Sequence, residues 1–366
     1  MAAARMSGPG RDLSPHPASH DLCTLRTVAT LADVARRAGV STATVSRIIN
    51  NSPKPVADAL RERVLAAVAE LQFVPNANAQ QLARAHRTAV GVIVHDVSDP
   101  YFAEITRGLQ RVATAHDRLV IICNSYRDPE RELAYVDLLH AHRTAAIVLA
   151  GSGYHDPPIT ARLDAKLRLY EETGGRVAVI GRHEHAGDAI VPENEHGGWL
   201  AGDALYRLGH TSVGVIAGPQ HLTTTTDRLT GLRRAARTHG HRLTSRHIEY
   251  AGFDRNGGMA AAEILLDRNP GITAIAALND SMAVGALACL RERGIEVPGR
   301  VSVIGFDDMP ISVDVTPSLS TVRLPLEEIG VRAMSLALRD PDGDGTPRVE
   351  HAAATLVLRG STAPRP

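Results

Sequence analysis

Short, fully apolar runs alternate with amphipathic stretches over most of the chain after residue 88. Seven of these runs predict buried strands, at 89–94, 118–123, 144–150, 176–181, 212–218, 273–278 and 301–306. The amphipathic stretches predict helices at 101–117, 129–142, 195–209, 226–239, 256–268 and 280–293. Continuous apolar strands that alternate with helices are typical of parallel sheets covered on both faces. The pattern therefore predicts an α/β body.

The alternation of strands and helices occurs twice, which predicts two lobes. We expect the first lobe near 88–186 and the second near 187–315. Two late segments, LSTVRL (319–324) and ATLVLRG (354–360), are interpreted as crossovers and closing strands. We assign 318–345 to the first lobe and 346–362 to the second.

The stretch before the body predicts three short helices. Thr30 starts a capping pattern with Asp33 before LADVARRA, and Gly39 stands where that helix must end. Ser41 is expected to cap the next helix, TATVSRIIN, and Pro55 to open a third, VADALRERVLAAVAEL. Apolar residues then recur at helical spacing and can form one small core: Val34, Ala35, Val40, Val45 and Ile48. This is the pattern of a helix-turn-helix, with a plain three-helix bundle as the alternative.

The outer face of the second helix carries short side chains and one arginine. The residues on this face are Thr42, Ala43, Thr44, Ser46 and Arg47. Short side chains let a helix approach base edges in a major groove about 12 Å wide, and an arginine can reach guanine. The composition of this face therefore indicates base reading in duplex DNA.

Charge is unevenly distributed although the formal net charge is zero. Between Arg26 and Arg87 there are nine Lys or Arg residues and four Asp or Glu residues, so this region carries +5 and the remainder −5. A basic region beside an acidic body favours a polyanionic partner, with an ordinary solvated surface as the alternative.

Length and composition exclude several classes of protein. No apolar run approaches the about 20 residues that a membrane-spanning helix needs, so we expect no membrane partner. Residues 1–25 lack the apolar core of a secretory signal, and their Pro, Ser, Gly and Ala content predicts a disordered tail. The three cysteines, Cys23, Cys123 and Cys289, lie far apart, which favours free thiols and a cytoplasmic location.

The run from Thr30 to Arg84 closely resembles the lactose-repressor (LacI/GalR) family of bacterial transcription regulators, and the resemblance continues to about Leu358. It implies a helix-turn-helix domain over 26–75, a hinge segment over 76–87 and a periplasmic-binding-protein-like effector domain over 88–362. It also implies that Leu82 enters the minor groove, where an apolar side chain can kink the duplex. The expected DNA-contacting residues are Thr30, Ser41, Thr42, Ala43, Thr44, Ser46, Arg47, Asn50, Asn76, Ala79 and Leu82.

Polar residues follow the predicted strands, where ligands of such folds bind. Arginine, carboxylate and aromatic side chains together are suited to a polyhydroxylated ring. By resemblance, Arg228 and Asp307 are the main effector contacts and Phe253 is an aromatic platform. Asp280 and Asp308 are interpreted as capping or orienting residues. The expected effector-binding set is Asp96, Tyr101, Phe102, Arg182, Arg228, Phe253, Asn279 and Asp307.

Enzyme motifs do not fit this chain. The two lysines, Lys54 and Lys166, do not follow glycine as a phosphate-binding loop requires, and no G-x-S-x-G elbow occurs. His183 and His185 do not make a convincing metal site, and we expect neither metal nor cofactor. We therefore predict a dimeric repressor that binds a palindromic operator under the control of a small effector, a sugar or sugar derivative. The alternatives are a stand-alone sugar-binding protein and a nucleoside-responsive regulator of the same family.

Overall fold

The computed structural model describes residues 29–50, 54–74, 88–339 and 346–365. The chain divides into two compact units, Met1–Ala85 and His86–Pro366. Within the described ranges, every helix is too short or too polar to span a lipid bilayer. The predicted positions Asn76, Ala79 and Leu82, with the whole hinge segment, lie outside the described residues, as does the tail 1–25.

The described part of the first unit holds three helices, α1 (Leu31–Ala38), α2 (Thr42–Ile49) and α3 (Asp58–Glu70). The capping box of Thr30 and Asp33 is present, and Gly39 ends α1 with a left-handed φ of 64°. The Ser41 side chain accepts a hydrogen bond from the backbone N–H of Thr44. These three caps confirm the sequence prediction. The predicted start of α3 was wrong. Pro55 was expected to open this helix, but the helix begins three residues later, at Asp58, and Ala57 before it supplies no side-chain cap.

The small core of this unit is the predicted one. Val34, Ala35, Val45 and Ile48 are buried, and Val40 packs partly buried against them. Two contacts hold α3 against α1. Arg37 of α1 forms an ion pair with Glu70 of α3 at 2.6 Å, and Arg63 of α3 donates to the carbonyl of Ala38, the last residue of α1.

The described part of the second unit contains two six-stranded sheets, each covered by helices. The strands of the first sheet are β1 (Ala89–Val94), β2 (Leu119–Asn124), β3 (Ala146–Ala150), β4 (Arg176–Ile180), β5 (Asp188–Pro192) and β11 (Val349–Ala352). They lie in the order β11-β5-β4-β3-β1-β2, and all paired strands run parallel. Its helices are α4 (Pro100–Ala115), α5 (Pro129–Ala141), α6 (Pro157–Glu172) and α12 (Leu326–Leu338).

The strands of the second sheet are β6 (Val213–Ala217), β7 (Ile248–Tyr250), β8 (Ala274–Ala277), β9 (Ser302–Asp307), β10 (Ser320–Arg323) and β12 (Thr355–Val357). They lie in the order β12-β10-β9-β8-β6-β7, and β12 runs antiparallel to its neighbour β10 whereas the other pairs are parallel. Its helices are α7 (Asn194–Arg207), α8 (Thr223–Thr238), α9 (Arg255–Arg268), α10 (Asp280–Glu292) and the single turn α11 (Ile311–Asp314). The two-lobed parallel architecture predicted from the apolar runs is confirmed.

The lobe boundaries differ from the prediction at three places. β5 pairs with β4 in the first sheet although the second lobe was expected to start at 187. β10 pairs with β9 in the second sheet, and β11 pairs with β5 in the first, so each of these two strands lies in the lobe opposite to the predicted one. The helix α12 and the strand β12 lie in the predicted lobes. The cause is that the chain passes between the lobes three times, after Pro192, Arg323 and Ala352. Strand-helix alternation alone does not mark such crossings, because β5 follows β4 without an intervening helix.

Candidate functional site

The cleft between the two lobes contains a cavity. Residues from both lobes line it, and they stand at or just beyond the carboxyl ends of the strands, where parallel α/β sheets place their ligands. The lining consists of His95, Asp99, Tyr101, Phe102, Arg127, Gly151, Ser152, Gly181, Pro192, Asn194, Thr224, Arg228, Phe253, Asn279 and Asp307.

Arg228 lies at the centre of the second-lobe wall and is 2% exposed. Its guanidinium donates to the Asn194 side-chain oxygen at 2.8 Å, to the Leu278 carbonyl and to Asp307 Oδ1 at 2.8 Å. It also lies over the ring of Phe306, 3.7 Å from the ring centre. These bonds use three of the five N–H donors of the guanidinium, so two remain for a ligand.

The backbone around Arg228 is fixed by a close helix crossing. A side chain at Gly198 of α7 would stand 2.0 Å from the carbonyl oxygen of Arg228, and one at Gly231 of α8 would stand 2.0 Å from that of Glu195. Only glycine fits at these two positions. The crossing of α7 and α8 therefore sets the depth at which Arg228 enters the cleft.

Asp307 ends β9 in a conformation that L-residues rarely adopt, with a φ of 104°. Strain of this kind persists where the surroundings hold it, and here Asp280 does so. The Asp280 carboxylate accepts bonds from the Met309 backbone N–H at 2.7 Å, from Ser312 at 2.8 Å and from Thr321 at 2.6 Å. Asp280 therefore orients the turn that carries Asp307, as the sequence indicated.

Burial governs the acid–base state of these carboxyls. Burial raises the pKa of Asp307 above its usual range, and the guanidinium of Arg228 opposes that rise. Burial raises the pKa of Asp280 to about 6, while its three hydrogen-bond donors lower it. In the first lobe, burial raises the pKa of Asp99, which Arg127 opposes. Each carboxyl of the cavity lining thus has an arginine beside it.

Aromatic side chains form the remainder of the wall. The Tyr101 and Phe102 rings meet edge to face with centres 5.0 Å apart. Phe253 lies against the end of β6, where a side chain at Gly218 would stand 2.2 Å from its ring. Arg127 lies over the Phe253 ring at 5.7 Å and contacts Asp99 Oδ2 at 3.4 Å. The cavity therefore combines flat apolar surfaces with paired charges.

Six of the eight effector residues selected from the sequence meet in this cavity, and two do not line it. Asp96 instead accepts bonds from the backbone and hydroxyl of Ser98, at 3.0 and 2.7 Å. Arg182 is half exposed and forms an ion pair with Asp227. The roles of all eight in binding stay a prediction.

Several lining residues escaped the sequence analysis. Arg127 and Ser152 follow β2 and β3, so the rule used for the other strands would have found them. Asn194 follows β5, which the apolar pattern did not reveal. His95 is buried against Glu132, with Nε2 3.2 Å from the carboxylate. Because His95 directly follows β1, the same rule would have found it as well.

The two histidines weighed as metal ligands lie outside the cavity. His183 contacts the Gly151 carbonyl at 3.0 Å, and His185 contacts Asp164 at 2.9 Å. Across the described ranges, no group of three or more His, Cys, Asp or Glu side chains is arranged to hold a metal ion.

In the first unit, α2 presents one face to solvent and one to the core. Thr42, Ala43 and Arg47 are exposed, whereas Val45 and Ile48 are buried. The other selected side chains have partners inside the unit. Thr30 donates to Asp33 at 2.6 Å, the hydroxyls of Ser41 and Thr44 lie 2.9 Å apart, and Asn50 donates to Ser46 at 3.1 Å. The exposed face of α2 is therefore the free surface of the helix-turn-helix.

A helix-turn-helix unit and a two-lobed unit with a cavity between its lobes define the class of ligand-responsive DNA-binding regulators. Known protein families and relatives of this chain agree with that class. Residues 30–76 match the model "Bacterial regulatory proteins, lacI family", and residues 203–362 match the model "Periplasmic binding protein-like domain". The transcriptional regulator GalR of Escherichia coli is 37% identical over 338 residues, covering 91% of this chain and 96% of GalR.

Solved structures give the same result. The lac repressor dimer bound to operator and an anti-inducer has a TM-score of 0.77 and 25% identity, covering 92% of this chain and 100% of that one. The regulator CelR in complex with cellobiose has a TM-score of 0.67 and 29% identity, covering 91% of this chain and 99% of that one. The chain belongs to the lacI family of bacterial regulatory proteins. It is a DNA-binding transcriptional regulator and not an enzyme, which confirms the sequence prediction.

Proposed function

We propose that the chain binds a palindromic operator as a dimer and that an uncharged sugar, held between the lobes, controls this binding. The observation that carries the ligand assignment is the buried Arg228–Asp307 pair, 2.8 Å apart, in a cavity that Phe253 also lines. Such a pair offers both donors and acceptors to hydroxyl groups, while an aromatic face packs against the C–H groups of a sugar ring.

The charges of the cavity favour an uncharged ligand. Its lining contains two arginines and two aspartates, and each arginine contacts one aspartate: Arg127 with Asp99, and Arg228 with Asp307. A phosphate or a carboxylate would need a cation that is not already paired, because burying an uncompensated charge is costly. CelR, whose structure holds cellobiose, provides a related example of a regulator with a neutral sugar.

The exposed face of α2 is proposed to read bases in the major groove. Arg47 would donate to guanine, and Thr42 and Ala43 would contact neighbouring bases. In the hinge segment, Asn76, Ala79 and Leu82 would contact the minor groove, with Leu82 as the wedge. Thr30, Ser41, Thr44, Ser46 and Asn50 would hold the helices in register and contact the phosphate backbone.

The dimer surface is proposed on the open edge of the first sheet. β2 is the edge strand, and its Leu119 and Ile122 are 66% and 44% exposed. Val97 and Tyr126, which flank the ends of β1 and β2, are 49% and 62% exposed. Exposed apolar side chains on an unpaired edge favour association with another copy. Two DNA-binding units related by a two-fold axis would read two half-sites. The lac repressor, a related structure, is bound to its operator as a dimer.

A cytoplasmic location is part of the proposal. A DNA partner requires access to the chromosome, and the two described cysteines, Cys123 and Cys289, are buried and carry free thiols. Free thiols are typical of a reducing compartment.

Thermal unfolding with a ligand panel tests the effector class. We expect one of D-glucose, D-galactose, D-ribose or cellobiose to raise the melting temperature, because a ligand at a hundred times its Kd contributes about 2.7 kcal/mol. The matching sugar phosphate and uronic acid should give no shift, since the cavity has no unpaired cation for them. Asp307→Asn should remove the shift, whereas Asp314→Asn, outside the cavity, should keep it. A larger shift with adenosine than with every sugar would instead support a nucleoside-responsive regulator.

A further inference from the structure

Arg182 of the first lobe and Asp227 of the second form a bidentate ion pair outside the cavity. Arg182 Nε lies 3.1 Å from Asp227 Oδ2, and Nη2 lies 2.7 Å from Oδ1. Arg182 follows β4, whereas Asp227 lies in α8, which follows β6. Two parallel N–H···O bonds give such a pair a defined geometry. The pair therefore joins the two lobes directly.

The ion pair belongs to a wider contact between the lobes. The first-lobe loop 152–155 pairs with the start of α8 through an antiparallel bridge between Tyr154 and Leu222. The Thr223 N–H donates to the Gly153 carbonyl at 2.9 Å, and the His155 N–H donates to the His221 carbonyl at 2.8 Å. We call Ser152–His155, Arg182 and His221–Asp227 the interlobe contact.

Side chains of the threonine run complete the interlobe contact. Ser152 donates to Thr224 at 2.6 Å, Thr223 donates to the Arg182 carbonyl at 3.2 Å, and Thr226 lies 3.0 Å from His155 Nε2. The run TTTT (223–226) therefore contacts the first lobe through at least three of its four positions. A single one of these four threonines, Thr224, lines the cavity.

The backbone of α8 depends on this contact. Leu222, the residue before the helix, supplies no side-chain cap, so a first-lobe carbonyl accepts the bond of the Thr223 N–H. Within the first lobe, Gly153 lets the loop 152–155 lie against Arg182, because a side chain at Gly153 would stand 2.4 Å from the Arg182 carbonyl oxygen. Separation of the lobes would break the hydrogen bonds of the interlobe contact and expose their polar groups to water. The contact thus favours the closed arrangement of the lobes even when the cavity holds no ligand.

We infer that Arg182 and Asp227 are positioning residues that set effector affinity by holding the lobes closed, without touching the effector. A ligand that needs the closed form binds with an apparent Kd equal to its intrinsic Kd divided by the closed fraction. Weakening the interlobe contact lowers that fraction and raises the apparent Kd. The affinity part of this inference rests on the proposed binding of a sugar, whereas the closure part does not.

Hydrogen–deuterium exchange of the full-length, ligand-free protein tests the closure part. The amides of His155 and Thr223 should be protected in the wild type. Arg182→Asp should speed their exchange about threefold or more, because it replaces an attraction with a repulsion. The double variant Arg182→Asp with Asp227→Arg should restore protection. Arg168→Asp is the matched control, since Arg168 pairs with Asp164 inside one lobe at similar exposure, 60% and 22% against 50% and 22%.

Unprotected amides in the wild type would overturn the inference, as would equal effects of Arg182→Asp and Arg168→Asp or a failure of the charge swap to restore protection. Calorimetry with the sugar that stabilises the wild type tests the affinity part. Its Kd should rise about threefold or more in Arg182→Asp and recover in the swap. If no sugar binds, the proposed effector class fails while the exchange result still decides whether the lobes are held closed.

Discussion

Arg228→Ala is expected to weaken effector binding by about a hundredfold or more while operator binding without effector stays unchanged. Arg228 has two N–H donors left for the ligand, and hydrogen bonds to a charged group contribute about 1.5–3 kcal/mol each. The substitution also removes the partner that orients Asp307, 2.8 Å away. Isothermal titration calorimetry with the stabilising sugar and anisotropy with labelled operator measure the two affinities.

The matched control for this prediction is Arg234→Ala on the same helix. Arg234 pairs with Glu195 at 2.7 Å in an exposed position, so its loss should leave both affinities unchanged. If Arg228→Ala does not fold, Asp307→Asn should cause a similar loss of sugar binding. Loss of operator binding in a folded Arg228→Ala protein would contradict the separation of the ligand site from the DNA-binding unit.

Operator affinity is expected to fall about 10³- to 10⁵-fold between 50 and 200 mM salt. This range corresponds to about 6–10 neutralised phosphates in a dimer, whose release of counterions makes binding salt-dependent. The basic region Arg26–Arg87, with a net charge of +5 per chain, is the proposed source of these contacts. Anisotropy titrations at several salt concentrations, on a palindromic duplex selected by the protein from a random pool, give the slope.

Arg47→Ala serves as the control for the salt titration. If Arg47 reads a base, the variant should lose affinity for the selected duplex and keep nearly the same salt slope. If it contacts a phosphate, the slope should decrease by about two, since each subunit of the dimer loses one phosphate contact, and random DNA should be affected equally. A flat salt response of the wild type would contradict DNA binding through the basic region.

Much of the fold follows from local pattern. The caps at Thr30, Gly39 and Ser41 and the seven apolar runs each depend on residues close in sequence, so the chain itself carries the information. The three lobe crossings do not follow in this way. β5 and β11 become neighbours across more than 150 residues, and no local pattern marks that pairing.

The residues of the cavity likewise divide into those that the sequence could predict and those that it could not. Phe253 follows β7, which the apolar runs did not predict, and Arg228 lies within α8, so the family resemblance was needed to assign their roles. Asn279 and Asp307 directly follow predicted apolar strands, and the rule that ligands bind beyond strand ends was sufficient to select them. The same rule selected Arg182, which the fold uses to join the lobes instead. Arg182 pairs with Asp227 of the opposite lobe instead of entering the cavity, and Asp227 stands one residue before the cavity residue Arg228. Sequence order could not show which face of α8 each side chain occupies until the lobes were positioned.

The central claim is that a sugar bound between the lobes controls operator binding, and a reciprocal titration tests it most directly. Operator affinity is measured by anisotropy with and without saturating sugar, and sugar affinity by calorimetry with and without saturating operator. We expect the sugar to change the operator Kd by about 5- to 150-fold, and the operator to change the sugar Kd by the same factor. An operator Kd that is identical with and without a bound sugar would contradict the claim.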